Sequence, residues 1–447
     1  MTGQITTEHD TTGYDEAYRP LAGRRLALVE SMLHSVFYDS IHEARRFGLH
    51  VRLLLKEHEW YASAADWAGH PLTQVDTLEY VDTHSVDDVV RALTDSRGRP
   101  LVDGITTFSD YHTEVAAEAA ERLGLPGPGL EAIRTANHKP RLRQALEGLS
   151  CNVPAVLVTA PGQLDAAAAT LGFPLVAKPP AEAISYGVVL VRDRAGLNRA
   201  YAQLSRIRHS LRRQPRPGHV LLEQYVDAPE VSVESLTVAG QTRFYGVTTK
   251  YLMPPPTFLE AAHSFPATLE PADRARLYRT VSQVLSRIGY RQGPAHTEVK
   301  LTADGPRIVE VNPRLPAGNL TAMVRHVYDR NPQLDAMVLA VGGTPAAPDG
   351  EQHGGAAVVM LYPPGEPGRP GVLEGIDGLD VAAAQPGVQT VVFARPGDET
   401  WHRLDNSGRV GLVYARGPDA ATALARARAA GAAVTVRVKT ADHAGTR

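Results

Sequence analysis

Glu298, Glu310, Asn312 and Arg314 fall in one stretch, His296 to Asn319, whose sequence HTEVKLTADGPRIVEVNPRLPAGN reads as two strands around a tight turn. Asp-Gly between alternating apolar runs is a strong hairpin signal. A loop of Ala303-Asp304-Gly305 centres the pairing on Asp304 and sets Glu298 across from Glu310. Directly opposed residues have Cβ atoms roughly 4.5–5.5 Å apart, so the two carboxylates repel unless something positive sits between them. Asn312, two residues past Glu310, shares its face. Glu, Glu and Asn are oxygen ligands that suit Mg²⁺ held partly by protein and partly by substrate phosphates. A solvated hairpin is the plainer account of two strand glutamates. Against it stand the apolar opposite face (Val299, Leu301, Val309, Val311) and the run Glu-x-Asn-x-Arg into Pro316-Ala317-Gly318-Asn319.

Other polar residues sit at strand ends. Lys178 closes Leu175-Val176-Ala177-Lys178, where a lysine ending a buried strand is a point charge aimed at phosphate; a strand lysine reaching solvent is the ordinary alternative. Lys139, at a helix start, and Lys250, after Gly246-Val247-Thr248-Thr249, are weaker instances. Leu221-Leu222-Glu223-Gln224-Tyr225-Val226 is an apolar strand ending in polar groups, followed by Glu230 after Pro229. Such a segment can pair its backbone with a purine edge while Glu230 takes ribose hydroxyls, although an ordinary strand end has the same pattern.

The elements that must position these groups alternate. Apolar runs at 26–29, 50–55 and 104–108 read as strands, and 38–47, 87–93 and 114–123 as helices, which implies a parallel sheet with helices. The first strand is followed by ESMLHS, without the glycines that let a pyrophosphate approach, so a nicotinamide cofactor is excluded. One helix is expected over 131–150. Strands follow at 154–158, 175–178, 188–191 and 220–225, a helix at 197–211 that carries the arginine-rich RIRHSLRRQPR, a hairpin of 231–239 with 241–248, and a helix at 274–288. Beyond 350, short strands (356–361, 388–393, 410–414, 434–438) and an alanine-rich helix (420–430) suggest a C-terminal α+β lobe.

At 447 residues the chain holds two or three domains or one composite unit. Its net charge of −3 gives no reason to expect nucleic acid or a membrane surface. The single cysteine, Cys151, excludes an internal disulfide framework and fits a reducing cytoplasm. The polar N-terminus lacks a signal-peptide pattern and reads as a loose arm.

The order of these pieces (lysine, lysine after a strand, loop, Glu-Gln-x-Val, Glu, then Glu…Glu-x-Asn-x-Arg) resembles the ATP-grasp superfamily, over nearly the entire chain from about residue 24. Within it, DGITTFSDYHTEVAAEAAERLGLPG and FLEAAHSFPA are similar to the carboxylate–amine ligases, and among those to the L-amino acid ligases that make dipeptides. The resemblance implies an α/β and α+β chain. A flexible arm (1–23) and a Rossmann-like pre-ATP-grasp domain (24–129) would precede a two-lobed ATP-grasp fold (130–345, small lobe about 150–226) and the C-terminal α+β lobe (346–447).

It also implies roles. Lys139 and Lys178 would contact the ATP phosphates, Glu223, Gln224 and Val226 would hold adenine, and Glu230 the ribose. Glu298, Glu310 and Asn312 would ligate two Mg²⁺ ions (Mn²⁺ being the alternative), Glu310 bridging them. Arg314 would stabilise the transferred phosphoryl group, or clamp a substrate carboxylate together with the Gly318-Asn319 turn. Glu260 and His263 would lie in the amino-acid pocket, either serving as base, with Lys250 also facing substrate. The phosphate-covering loop departs from the pattern: in Pro180-Ala181-Glu182-Ala183-Ile184-Ser185-Tyr186-Gly187 only Ser185 and Gly187 match, and fewer glycines leave fewer amides free to approach phosphate.

The implied function is ATP-dependent amide formation between an amino-acid carboxylate and an amine, through an acyl phosphate, by a cytoplasmic enzyme acting on small molecules. The oligomeric state stays open, dimers being common in the superfamily. Two rivals remain: another ATP-grasp reaction, biotin carboxylase-like or on a non-amino-acid substrate, and nucleotide binding without turnover, supported only by the glycine-poor loop.

Overall fold

The computed structural model describes residues 16–30, 35–58, 61, 71–254, 257–347, 351–365, 369–401 and 405–440. Most of the expected N-terminal arm, part of the ESMLHS segment and the centre of the triproline loop lie outside these residues. The described end of the arm is not loose: Tyr18 and Leu21 are fully buried, and the Tyr18 hydroxyl accepts the Asn331 N–H (3.1 Å).

Strands β1 (Arg25–Val29), β2 (His50–Leu55), β3 (Thr77–Tyr80) and β4 (Gly104–Thr106) form a parallel sheet in the order β3-β2-β1-β4. The strand β3 has no apolar run to announce it; two of its four residues are exposed. The single helix expected over 131–150 is two, Leu130–Asn137 and Lys139–Ala145, broken at His138. Pro140 explains the break: it lacks an N–H and is tolerated only in a helix's first turn, so it starts a new helix instead of continuing the old one.

Strands β5 (Ala155–Val158), β6 (Leu175–Lys178), β7 (Val189–Val191) and β8 (Val220–Gln224) make a small antiparallel sheet, ordered β5-β8-β6-β7. Its helix runs Arg194–Leu204 and stops short of the expected 211. The arginine-rich stretch is a loop pinched by a bridge between His209 and Pro215. Arg208 and Arg216 there serve as local staples, to Pro217 O and to Glu182 (3.3 Å) respectively.

The large sheet starts with β9 (Glu230–Val238) and β10 (Gln241–Leu252), paired as a hairpin whose turn residues, Ala239 and Gly240, have φ of 51° and 82°. Both positive values match the type I′ turn that suits strand twist. It continues with β11 (Glu260–Phe265), β12 (Gly293–Thr302), β13 (Gly305–Asn312) and β14 (Gly355–Leu361). Past these come β15 (Pro370–Asp377), β16 (Val388–Val392), β17 (Glu399–Trp401), β18 (Gly411–Gly417) and β19 (Thr435–Thr440). The order β13-β12-β9-β10-β11-β14-β18-β16 is one eight-stranded sheet. The sheet therefore crosses the boundary expected at 345: three strands of the C-terminal stretch extend it, and only β17-β15-β19 stands apart. Residues 260–265, which carry two expected site residues, form a strand that periodicity did not announce.

Beneath β9, β12 and β13, the helix Pro271–Arg287 presents Leu277, Val281, Val284 and Leu285, all fully buried against Val231, Val233, Val299 and Ile308. Burying each such side chain contributes about 1.5–3 kcal/mol. Beneath the other half, Leu320–Tyr328 packs Met323, Val324 and Val327 on Phe265, Val358 and Tyr414. No described helix is long and apolar enough to cross a membrane.

A chain ending at residue 347 loses β14, β16 and β18 and leaves β11 as a bare edge, which favours aggregation. Such a truncation should give no cooperative thermal transition by circular dichroism. A soluble, cooperatively melting product would contradict the continuity of the sheet.

Candidate active site

The β12–β13 hairpin brings Glu298 opposite Glu310, as its spacing suggests, but by another route. Thr302 pairs with Gly305, so the loop is only Ala303-Asp304, and from there the ladder runs Leu301 to Pro306, Lys300 to Arg307 and Val299 to Ile308. A register shift then skips Val309 and restores the opposition of Glu298 with Glu310. The extra residue turns Val309 out of the apolar face and into a cleft, and Ile308 takes its place in the core. Arg143 fixes this bulge. Its Nη1 and Nη2 donate to Ile308 O (2.8 Å) and Val309 O (2.7 Å), while its Nε pairs with Glu223 (2.8 Å). Arg143 lies far from the hairpin in sequence, and no local signal marks it.

The cleft lies between the small sheet and the large one. Val176 opposes Glu223 in the ladder, so Lys178, two residues on, shares Glu223's face, and its Nζ lies 2.6 Å from Glu223 Oε2. Burial pushes the Glu223 carboxyl up, but Arg143 and Lys178 outweigh it and hold its pKa at about 2. The Glu223 side chain is thus a clamp for two cations and is not available to a purine, whose edge would meet the backbone of Gln224 to Val226 at the cleft wall.

Lys139 sits at the start of its helix with Nζ 3.2 Å from Glu310 and donating to Glu182 O (2.8 Å). Lys250 is more central than its sequence signal indicated. The ladder places it between Glu230 and His263, and its ammonium meets Glu230 (2.8 Å), Glu260 (3.1 Å) and Glu298 (2.5 Å). Burial works against the charge, but these three carboxylates hold the Lys250 pKa well above normal. Glu230 also pairs with Lys300 (3.2 Å).

Glu260 is expected as a candidate base, and its surroundings oppose that role. Burial raises its pKa, but Lys250 and Arg409 bring it well below the ordinary carboxylate range. His263 Nε2 lies 3.3 Å from the same carboxylate. Arg314 lines the cleft and is paired with Asp110, which follows β4 of the N-terminal sheet. Behind Glu298, His296 bridges it (3.3 Å) to buried Glu234 (2.8 Å); burial lowers the imidazole pKa, but the carboxylates raise it to about 9.

Ser185 lines the cleft, and the loop around it makes up for missing glycines in one respect: Ile184 and Ser185 adopt left-handed φ of 55° and 61°. Gly187, Asn312, Gly318 and Asn319 do not line it. Asn312 Nδ2 donates to Glu310 (3.0 Å), and the others shape backbone; a Cβ on Gly187 would meet Leu204 at 3.0 Å. Asn406 and Arg409, from the C-terminal stretch, reach the cleft wall unforeseen.

No group of three or more His, Cys, Asp or Glu side chains is gathered as a metal cage among the described residues. Two opposed carboxylates with an amide beside them do fit a hard cation that completes its sphere with phosphate oxygens.

Comparison with known proteins accords with this geometry. The family described as ATP-grasp domain matches residues 171–323, an ATP-grasp N-terminal domain matches 41–127, and L-amino acid ligase C-terminal domain 2 matches 366–439. Carnosine synthase 1 of Gallus gallus is 30% identical over 357 residues, which cover 75% of this chain and 37% of that protein. Alanine–anticapsin ligase of Bacillus subtilis is 26% identical over 295 residues, covering 62% of this chain and 61% of that one. The chain thus spans less than two thirds of either relative. The crystal structure of an L-amino acid ligase from Bacillus licheniformis superposes with a TM-score of 0.77 at 24% identity, covering 94% of this chain and all of that one.

The Glu223 clamp makes a pH prediction. Its folded pKa of about 2 lies below the ordinary 4.5, so its contribution is complete above pH 4.5 and disappears as pH falls towards 2. The difference corresponds to about 3 kcal/mol. In urea unfolding, Glu223→Gln should be less stable than the parent by about that amount at pH 6, and the gap should close through pH 4.5 to 2. A gap that stays constant with pH would rule the clamp out.

Proposed function

We propose that this chain, which ATP-grasp and L-amino acid ligase family models match over much of its length, joins an amino-acid carboxylate to an amine at the expense of ATP. The observation that carries this most directly is the opposition of Glu298 and Glu310 in a cleft where Lys139, Lys178 and Arg314 also converge.

In this proposal the nucleotide lies between the two sheets, with its base against the backbone of 224–226 and its phosphates at Lys139 and Lys178. Glu230 takes the ribose. Glu298, Glu310 and Asn312 would hold two Mg²⁺ ions, which would supply positive charge to offset that of the phosphoryl group. A carboxylate oxygen of the first substrate attacks the γ-phosphorus, and the bond to ADP breaks. Arg314, oriented by Asp110, supports the developing charge with a fork that a lysine does not reproduce. The amine nitrogen then attacks the acyl carbon, phosphate leaves, and the amine loses a proton. His263 is assigned as the acceptor, since Glu260, pinned by Lys250 and Arg409, is a poor base. Lys139 pairs with Glu310, so a cation held by that carboxylate would leave the ammonium free for phosphate. Nucleotide and magnesium are therefore expected to bind cooperatively.

The decisive assay is Mg²⁺-dependent phosphate release from ATP across amino acids, singly and in pairs, with mass spectrometry of products. Release that rises with one pair and yields its amide is the expected outcome. Arg314→Lys should lower kcat by roughly 10³-fold while leaving ATP binding, read by calorimetry, nearly intact. Turnover with no pair but with some other carboxylate or amine would move the chain to a different ATP-grasp reaction.

A further inference from the structure

The turn Asn406–Gly408 lies between two parts of the site that the sequence keeps far apart. Asp405 caps the turn, accepting the Ser407 N–H (2.8 Å). On one side Asn406 holds the loop 180–187: its backbone N–H donates to Ile184 O (3.0 Å) and its Nδ2 to Ser185 Oγ (3.3 Å). Ser185 Oγ in turn donates to Phe258 O (3.2 Å). On the other side, Asn406 Oδ1 accepts the Glu260 N–H (3.2 Å) and the Tyr362 hydroxyl (2.9 Å). Arg409, three residues on, donates from Nε to the same Tyr362 hydroxyl (3.0 Å) and pairs through Nη2 with Glu260. Asn406 is buried, so each lost bond would leave an unsatisfied group away from water. What it holds is also conformationally costly, since Ile184, a β-branched residue, is in the left-handed region.

We propose that Asn406 is a positioning residue for the reaction, latching the 180–187 loop over the nucleotide and tying that closure to the Glu260–Arg409 corner of the substrate pocket. The proposal rests on the ligase reading for its kinetic consequence but not for its structural one. One amide group spans both sides, so the loop closes when the corner around Glu260 is formed. With the latch absent, water reaches the phosphoryl group and ATP turns over without amide.

Two readouts test this. The loop contains Tyr186, a chymotrypsin target. In the full-length protein with ADP and Mg²⁺, cleavage after Tyr186 should be at least about ten times faster in Asn406→Ala than in the parent. Asn406→Asp keeps the acceptor for Glu260 N–H and Tyr362, and Ser185 can turn its O–H from Phe258 O to the new carboxylate, so it should be cleaved more slowly than Asn406→Ala. In steady state, Asn406→Ala should release several phosphates per amide where the parent releases one, and KM for ATP should rise more than kcat falls. Ser185→Ala, which removes one hydroxyl, should shift both readouts in the same direction, and the double variant should be no worse than Asn406→Ala alone. Unchanged cleavage with one phosphate per amide, or effects of the two substitutions that multiply, would overturn the latch. If the parent makes no amide at all, the ligase reading fails while the cleavage comparison still decides the loop.

Discussion

Glu223, Glu230, Glu260, Glu298 and Glu310 all face one cleft and are all largely withdrawn from solvent. Two unit charges 4 Å apart repel by roughly 4 kcal/mol at an effective dielectric of 20, so no arrangement of strands holds these groups without interleaved cations. Lys139, Lys178, Lys250, Arg143 and Arg409 supply them. Buried pairs of this kind add little net stability, but removing one partner costs far more than the pair contributes. The strand register is therefore bound to the charge pattern: a slip of one residue would turn Lys250 away from Glu230, Glu260 and Glu298 together.

That dependence explains what could be read from the chain and what could not. Lys139, Lys178 and the Glu–Glu–Asn–Arg run carry their meaning in local order, because each lies at a strand or helix end where a polar residue is conspicuous. The opposition of Glu298 and Glu310 was legible too, although a two-residue loop and a bulge at Val309 produce it where a three-residue loop was expected. The bulge depends on Arg143 from a distant helix, and hairpin periodicity contains no trace of that. Glu260 shows the same limit from the opposite side: its residue type allows a base, and only Lys250 and Arg409, brought in by other strands, show why it is held as an anion. Asn406 and Arg409 went unseen for the same reason. The nearest clue for Arg409 is a cation directly before the apolar run 410–415.

The two sheets bring different groups to the cleft. The large sheet has helices packed beneath both halves and carries four of the five carboxylates, Glu230, Glu260, Glu298 and Glu310. The small sheet carries Lys178 and Glu223 and leads into the 224–226 crossing between the sheets. Arg314 reaches across to Asp110, which follows the N-terminal sheet, so groups from all three layers meet at the cleft.

The position of β14 in the sheet has a consequence during biosynthesis. The chain leaves the ribosome from its N-terminus, and segments fold as they emerge. The carboxylates, the lysines and Arg314 are all translated before β14 can dock beside β11 and β18 beside β14. Asn406 and Arg409 arrive among the last groups to reach the cleft. A nascent chain thus holds the cleft's carboxylates and lysines before it has the wall that encloses them, and the order of synthesis itself delays the complete cleft until the segment with Asn406 and Arg409 has been made.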